Sequence, residues 1–146
     1  MAALTPQHGK TEDERTVLRF LDMWKAQDVD GMISLFADGA SYIDMPLPPR
    51  RGLDEIRTYI EAIFTAFSVE IETLHIASNG PVIFTERVDY LTLTDGSRPP
   101  VPLPVTGVME MKDGKIWQWR DYLDLGTAEE GLGLKIRSDA EPEVAG

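Results

Sequence analysis

The sequence predicts an α+β domain in which about three to four helices pack on one face of a curved sheet. Two observations carry that expectation. Apolar residues recur at three- and four-residue spacing up to about residue 67 and alternate at two-residue spacing beyond it. The alternating runs are separated by Asn79-Gly80, Asp95-Gly96 and Asp113-Gly114, pairs that favour tight hairpins, so four consecutive antiparallel strands follow three helices. The 146 residues fit one domain. That domain is placed at 11–132, with 1–10 and 133–146 as flexible tails.

The first helix is marked by Thr11-Glu12-Asp13-Glu14, a capping-box pattern in which Thr11 caps the first turn and Glu14 reaches back. Val17, Leu18, Leu21 and Trp24 then repeat at helical spacing to about Gln27. Asp28 opens a short second helix, "DVDGMISLFA", with Val29, Met32, Ile33 and Phe36 on one stripe. "ASYIDMP", 40–46, reads as a strand ended by "PLPPRRG", whose prolines cannot supply ladder N–H groups. A third helix over roughly 53–67 aligns Ile56, Ile60, Ile63, Phe64 and Phe67. The strands that follow are "VEIETLHIAS", "VIFTERVDYLTL", "LPVTGVMEMK" and "KIWQWRDYL".

Composition removes several kinds of chemistry. A net charge of −11 repels phosphate backbones and anionic lipid surfaces, so neither nucleic acid nor a membrane is expected as a partner. There is no cysteine, no G-x-S-x-G turn and no glycine-rich phosphate loop, and the two histidines are His8, near the N-terminus, and His75, in a β-like run. No apolar run is long enough to span a bilayer or to serve as a signal peptide, which gives an expected cytoplasmic location. What is left for chemistry is carboxylates, Tyr, Lys, Arg or a cofactor.

Strand parity then singles out a few residues. Side chains of a strand alternate between faces, so Trp117, Trp119, Asp121 and Leu123 should share one side of the last strand. On the same test Ile83, Thr85, Arg87, Asp89, Leu91 and Leu93 share a face, as do Leu103, Val105, Gly107, Met109 and Met111, and Tyr42 shares one with Asp44. A lone charge in apolar surroundings costs several kcal/mol or more unless it is paired or neutralised. The simplest resolution is that Arg87, Asp89 and Asp121 meet, the five donors of the guanidinium holding two acids that share one proton. The plainer alternative is a structural ion network, with Tyr42, Trp117 and Trp119 as core and His75 as a satisfied structural histidine.

"MPLPP" after a Tyr-x-Asx, "TERVDYL" and "WRDYLDL", in that order between Glu12 and Gly126, resemble the limonene epoxide hydrolase family. The resemblance implies an NTF2-like or cystatin-like fold, a strongly curved mixed β-sheet around a deep apolar pocket, and a homodimer. It implies an epoxide hydrolase that adds water to a lipophilic, cyclic or terpene-like epoxide and gives a vicinal diol without cofactor or metal. Carried over by motif, Asp121 would be the base that activates water, Asp89 the acid that protonates the epoxide oxygen, Arg87 their link and Tyr42 a holder of the water. Met45, Leu47, Leu91, Leu103 and Trp119 would bind the substrate. The family's asparagine beside the tyrosine is Asp44 here. Either Asp44 is protonated and imitates the amide, or it competes with Asp121 as base. Two other readings stand beside the hydrolase: an epoxide-opening cyclase or isomerase using the same acid and base, and a non-catalytic small-molecule-binding module.

Overall fold

Six strands form one mixed sheet in the order β2-β1-β6-β5-β4-β3, with four helices, in a computed structural model that describes residues 3–136. The elements are α1 (Glu12–Ala26), α2 (Val29–Ser34), β1 (Phe36–Met45), β2 (Arg50–Arg51), α3 (Leu53–Ala66), β3 (Phe67–Asn79), β4 (Val82–Leu93), β5 (Val101–Lys112), β6 (Lys115–Leu123) and α4 (Leu125–Leu132). Strands β3 to β6 pair antiparallel in succession, as the hairpin dipeptides predict. β1 joins the sheet by running parallel to β6, so that Tyr42 faces Trp119 and Asp44 faces Asp121 across the ladder.

Local chemistry accounts for the helices. Thr11 Oγ1 accepts the Glu14 N–H at 3.0 Å, as expected. The Glu14 carboxylate reaches past Thr11 to the Lys10 N–H at 2.9 Å and also accepts the Ser78 hydroxyl, which ties α1 to the end of β3. Gln27 adopts the left-handed region that ends α1, and the Asp28 carboxylate then caps α2 through the Gly31 N–H. Val17, Phe20, Leu21 and Trp24 of α1 and Ile56 and Ile60 of α3 bury against Ile83, Met109, Ile116 and Trp119 of the sheet. Burying each such side chain fully contributes about 1.5–3 kcal/mol. Trp119 lies at the centre of an aromatic cluster with Phe20, Trp24 and Phe36.

Several expectations need correction. The second helix stops at Ser34, and Phe36 already pairs with Ile116, so β1 starts four residues before the expected strand. The proline-rich segment contains a short strand, with Arg50 and Arg51 paired to Tyr42 and Ser41. Residues 125–132, given no helix of their own, form α4, capped by Asp124 through the Gly126 N–H and ended by Gly133 at φ 70°. The segment 1–10 is not without structure where it is described: Pro6–His8 forms a 3₁₀ turn, and the Leu4 N–H donates to the Thr73 carbonyl at 2.9 Å. Of the expected C-terminal tail, 137–146 lies outside the described residues. Trp117 does not follow Trp119 inward. The pairing of β5 with β6 shifts between Glu110 and Met111, Trp117 is skipped, and its ring takes the Lys112 ammonium at 4.7 Å while Ile116 is buried.

Candidate active site

The sheet and the helices enclose a cavity of about 480 Å³ with apolar walls from Trp24, Ile63, Val69, Leu91, Leu103 and Leu125. Apart from Arg50 and Lys135, its polar lining is made of two side-chain clusters, built on neighbouring positions of β4, β6 and β1 with Tyr59 from α3.

Arg87 is the centre of the first cluster and has no solvent exposure along its side chain. All of its donors are placed. Nε and Nη2 donate to the two oxygens of Asp89 at 3.2 and 2.9 Å, Nη1 and Nη2 to the two oxygens of Asp121 at 3.0 and 2.8 Å, and Nη1 also reaches Thr85 Oγ1 at 3.5 Å. Both acids are gripped by the planar fork. Asp121 Oδ1 takes a further bond from the indole Nε1 of Trp119 at 2.7 Å. Gly107 of β5 lies opposite Asp121 in the ladder, and a Cβ there would collide with Arg87 Nη1 and Asp121 Oδ1. A glycine is what allows the guanidinium to pass under the strand. Burial works against the charge on Arg87, but the Asp121 and Asp89 carboxylates outweigh it and raise its pKa well above the usual range. Burial also raises the pKa of Asp89, with Arg87 opposing and the Asp121 charge adding to the rise. Burial therefore favours the neutral form of Asp89.

The second cluster surrounds Asp44. The Tyr59 hydroxyl of α3 donates to Oδ2 at 2.7 Å, and the Tyr42 hydroxyl lies 3.1 and 3.0 Å from the two oxygens. Tyr42 is held by stacking on Trp119, with ring centres 4.0 Å apart and planes 7° from parallel. The Arg50 guanidinium sits 4.3 Å above the Tyr59 ring. Burial, and then the adjacent Asp121 charge, raise the Asp44 carboxyl to about 7, while the two phenols act in the opposite direction. Burial pushes the pKa of both phenols up, and the Asp44 charge adds to it, so they stay protonated donors.

Of the residues predicted for the site, Tyr42, Asp44, Leu47, Arg87, Asp89, Leu91, Leu103, Trp119 and Asp121 all line this cavity. Met45 is not among the lining residues. It is the neighbour of inward-facing Asp44 on an extended strand, which turns it to the other side. His75 pairs with Glu86 at an exposed edge, away from the cavity. The sequence reading missed Tyr59, although it falls three residues after Ile56 and four before Ile63 on the inward stripe of α3. It also missed the steric role of Gly107 and the contribution of Leu134 and Ile136, from the expected tail, to the cavity wall. Among the described residues, no group of three His, Cys, Asp or Glu side chains is arranged to hold a metal ion.

The profile of the SnoaL-like domain family matches residues 17–119. The chain belongs to that family. It is 30% identical over 113 residues to epoxide hydrolase EphG of Mycobacterium tuberculosis, a match covering 77% of this chain and 74% of the relative. The solved structure of an M. tuberculosis LEH-like epoxide hydrolase superposes with a TM-score of 0.73 at 29% identity, over 83% of this chain and 89% of that one. The epoxide hydrolase/cyclase-like enzyme SalBIII superposes with a TM-score of 0.72 at 21% identity, over 80% and 93%, a likeness of fold. The α+β class expected from the apolar patterning and the NTF2-like fold implied by the motif resemblance are those of the family and of this chain.

Proposed function

We propose that the protein is an epoxide hydrolase that adds water to a lipophilic epoxide and releases a vicinal diol. One arrangement carries this reading: a buried arginine holds two carboxylates at the polar end of an apolar cavity, and both Asp89, whose pKa burial raises, and Asp121 line that cavity. A site that only bound an apolar ligand would gain nothing from desolvating two acids and a guanidinium. Opening an epoxide needs a proton for the departing oxygen and a nucleophile at carbon in one step. Asp89 supplies the proton, and a water on the far side of the ring supplies the nucleophile. That water loses its proton to a carboxylate, Asp121 by family resemblance, with Asp44 as its neighbour across the ladder. The 30% identical relative that bears the name epoxide hydrolase supports the same reading.

Ring strain contributes driving force, and each acid or base contribution is worth roughly 10² to 10⁴ in rate. The apolar wall admits a lipophilic substrate and keeps Asp89 neutral by excluding bulk water. The homodimer implied by the resemblance belongs to the same proposal, and sedimentation equilibrium is its check.

The test is turnover of a panel of cyclic and terpene epoxides in ¹⁸O-labelled water with a chelator present, comparing wild type with Asp121→Asn. Labelled diol from the wild type and its loss in the variant are expected. Consumption of epoxide without uptake of label would favour instead a cyclase, in which an internal hydroxyl replaces water; the fold shared with SalBIII supports that second reading.

A further inference from the structure

Arg50 and Arg87 both line the cavity, and they are employed differently. Arg87 directs its donors to Asp89, Asp121 and Thr85, so its charge is compensated within the protein. Arg50 is placed by the register of β2. It pairs with Tyr42 and shares the inner face with that phenol, while Arg51, paired with Ser41, is turned to the other face. The Arg50 guanidinium lies 4.3 Å above the Tyr59 ring, and Nη1 donates to the Pro48 carbonyl at 3.2 Å. Among the described residues no carboxylate forms an ion pair with it. In a chain with 25 acidic and 14 basic residues, an arginine left without an acid on the wall of an apolar cavity calls for a physical reason.

Arg50 is partly buried, so its charge is only partly solvated and is open to a ligand that enters the cavity. A planar fork held by stacking is preorganised for the two oxygens of a carboxylate. One cation matches one negative charge, which favours a carboxylate over a doubly charged phosphate. Arg87 cannot fill this role, because Asp89 and Asp121 already occupy it. The position of Arg50 also fixes where the acid sits on the ligand. The Tyr59 ring separates the guanidinium from Asp44, to which the Tyr59 hydroxyl donates at 2.7 Å. Acid and reacting group therefore belong to the same end of the ligand, and its apolar remainder faces Ile63, Val69 and Leu91.

Within the epoxide hydrolase reading, on which this rests, we infer that the substrate is an epoxide bearing a carboxylate, and that Arg50 binds that carboxylate and sets the preference for it. Arg50 takes no part in the chemical step. Its guanidinium holds the acid end of the substrate so that the ring meets Asp89 and the water. A negative charge brought into the cavity would otherwise be repelled by the carboxylates already there. With Arg50 in place an epoxy acid is attracted, and without it the acid is disfavoured relative to its neutral ester. Arg50 is thus a specificity-determining residue.

Calorimetry at neutral pH with decanoate and decanol, unreactive probes that differ in the head group, reads the site without turnover. The wild type should bind decanoate about tenfold more tightly than decanol. Arg50→Met should erase that preference, and Arg50→Lys should keep part of it. An epoxycyclohexane carboxylate and its methyl ester supply the kinetic half. The ratio of kcat/KM for acid over ester should fall about tenfold in Arg50→Met, through KM for the acid. Equal affinity of the wild type for the two probes, or a preference that survives in Arg50→Met, would overturn the inference. So would a parallel loss of both probes in Arg50→Met, the result expected if Arg50 only steadies the Tyr59 ring. A decanoate preference that depends on Arg50, with no diol from any epoxide, would support the carboxylate site and defeat the hydrolase reading, so the two failures are told apart.

Discussion

The two polar clusters of the cavity are built on opposite plans. Around Arg87 every hydrogen bond is an N–H to a carboxylate or hydroxyl, the donors cannot change role, and a guanidinium with 0% exposed side chain fixes both acids. Around Asp44 every hydrogen bond is an O–H from a phenol, and no cation touches the carboxylate. The first cluster is suited to holding geometry, since moving any member leaves a buried charge uncompensated. The second is suited to moving a proton, since hydroxyls can exchange donor and acceptor roles as the charge on Asp44 changes.

The largest effect should come from breaking the rigid cluster at its centre. Arg87→Met leaves two buried carboxylates without their cation and is expected to cost about 3–5 kcal/mol in urea unfolding and to abolish diol formation. A stable, active Arg87→Met would mean that the two acids do not depend on the arginine. Asp89→Asn is expected to separate activity from stability. It should lower kcat/KM by about 10² to 10⁴ while costing less stability than Arg87→Met, because the Asp121 carboxylate still compensates the guanidinium. Loss of folding without loss of specific activity would reverse the role given to Asp89.

Stability against pH probes the second cluster. The Asp44 carboxyl titrates near 7 in the folded protein against about 3.8 in the unfolded chain, so the folded state binds the extra proton between those values. The corresponding stability is fully present below about pH 4 and is lost as the pH rises through about 7. Asp89, also raised, acts in the same direction. Asp44→Asn should therefore flatten part of the decline between about pH 4 and 7 and raise stability at pH 8 by about 1 kcal/mol or more. Unchanged pH dependence in thermal unfolding would show that Asp44 titrates as an ordinary carboxylate. The smallest effect is expected from Tyr59→Phe. Its hydroxyl favours the ionised form of Asp44, so removing it should raise the Asp44 carboxyl further and move the decline of stability to higher pH, at a cost of about 1 kcal/mol for the lost hydrogen bond. A decline that moves to lower pH would contradict the assigned hydrogen bond.

Much of the first cluster was legible in the sequence because it depends on local rules. β4 and β5 are joined in a hairpin, and parity along each places Arg87, Asp89 and Gly107 on the inner face without further knowledge. Parity succeeded for Asp121 and failed for Trp117, only four residues earlier, because one skipped residue in the pairing with β5 inverts the faces beyond it. The second cluster was less accessible. Tyr42 and Asp44 share a face by alternation, but their position beside Trp119 and Asp121 comes from a parallel pairing between strands more than seventy residues apart, which no hairpin announces. Tyr59 lay on the inward stripe of α3 but was hidden among Ile56, Ile60 and Ile63 as one more apolar position. The motif resemblance, covering Glu12 to Gly126, supplied the fold that the local patterns alone left at the level of helices on a curved sheet.

The most direct measurement of the central claim is a single-turnover reaction in ¹⁸O-labelled water, with enzyme in excess over a convertible epoxide, followed by mass analysis of both the diol and the protein. Direct attack by water predicts one labelled oxygen in the diol from the first turnover and no label in Asp44, Asp89 or Asp121. An unlabelled diol in that first turnover, with label appearing afterwards in a carboxylate, would instead make one of these aspartates the nucleophile and contradict the acid and base roles proposed for Asp89 and Asp121.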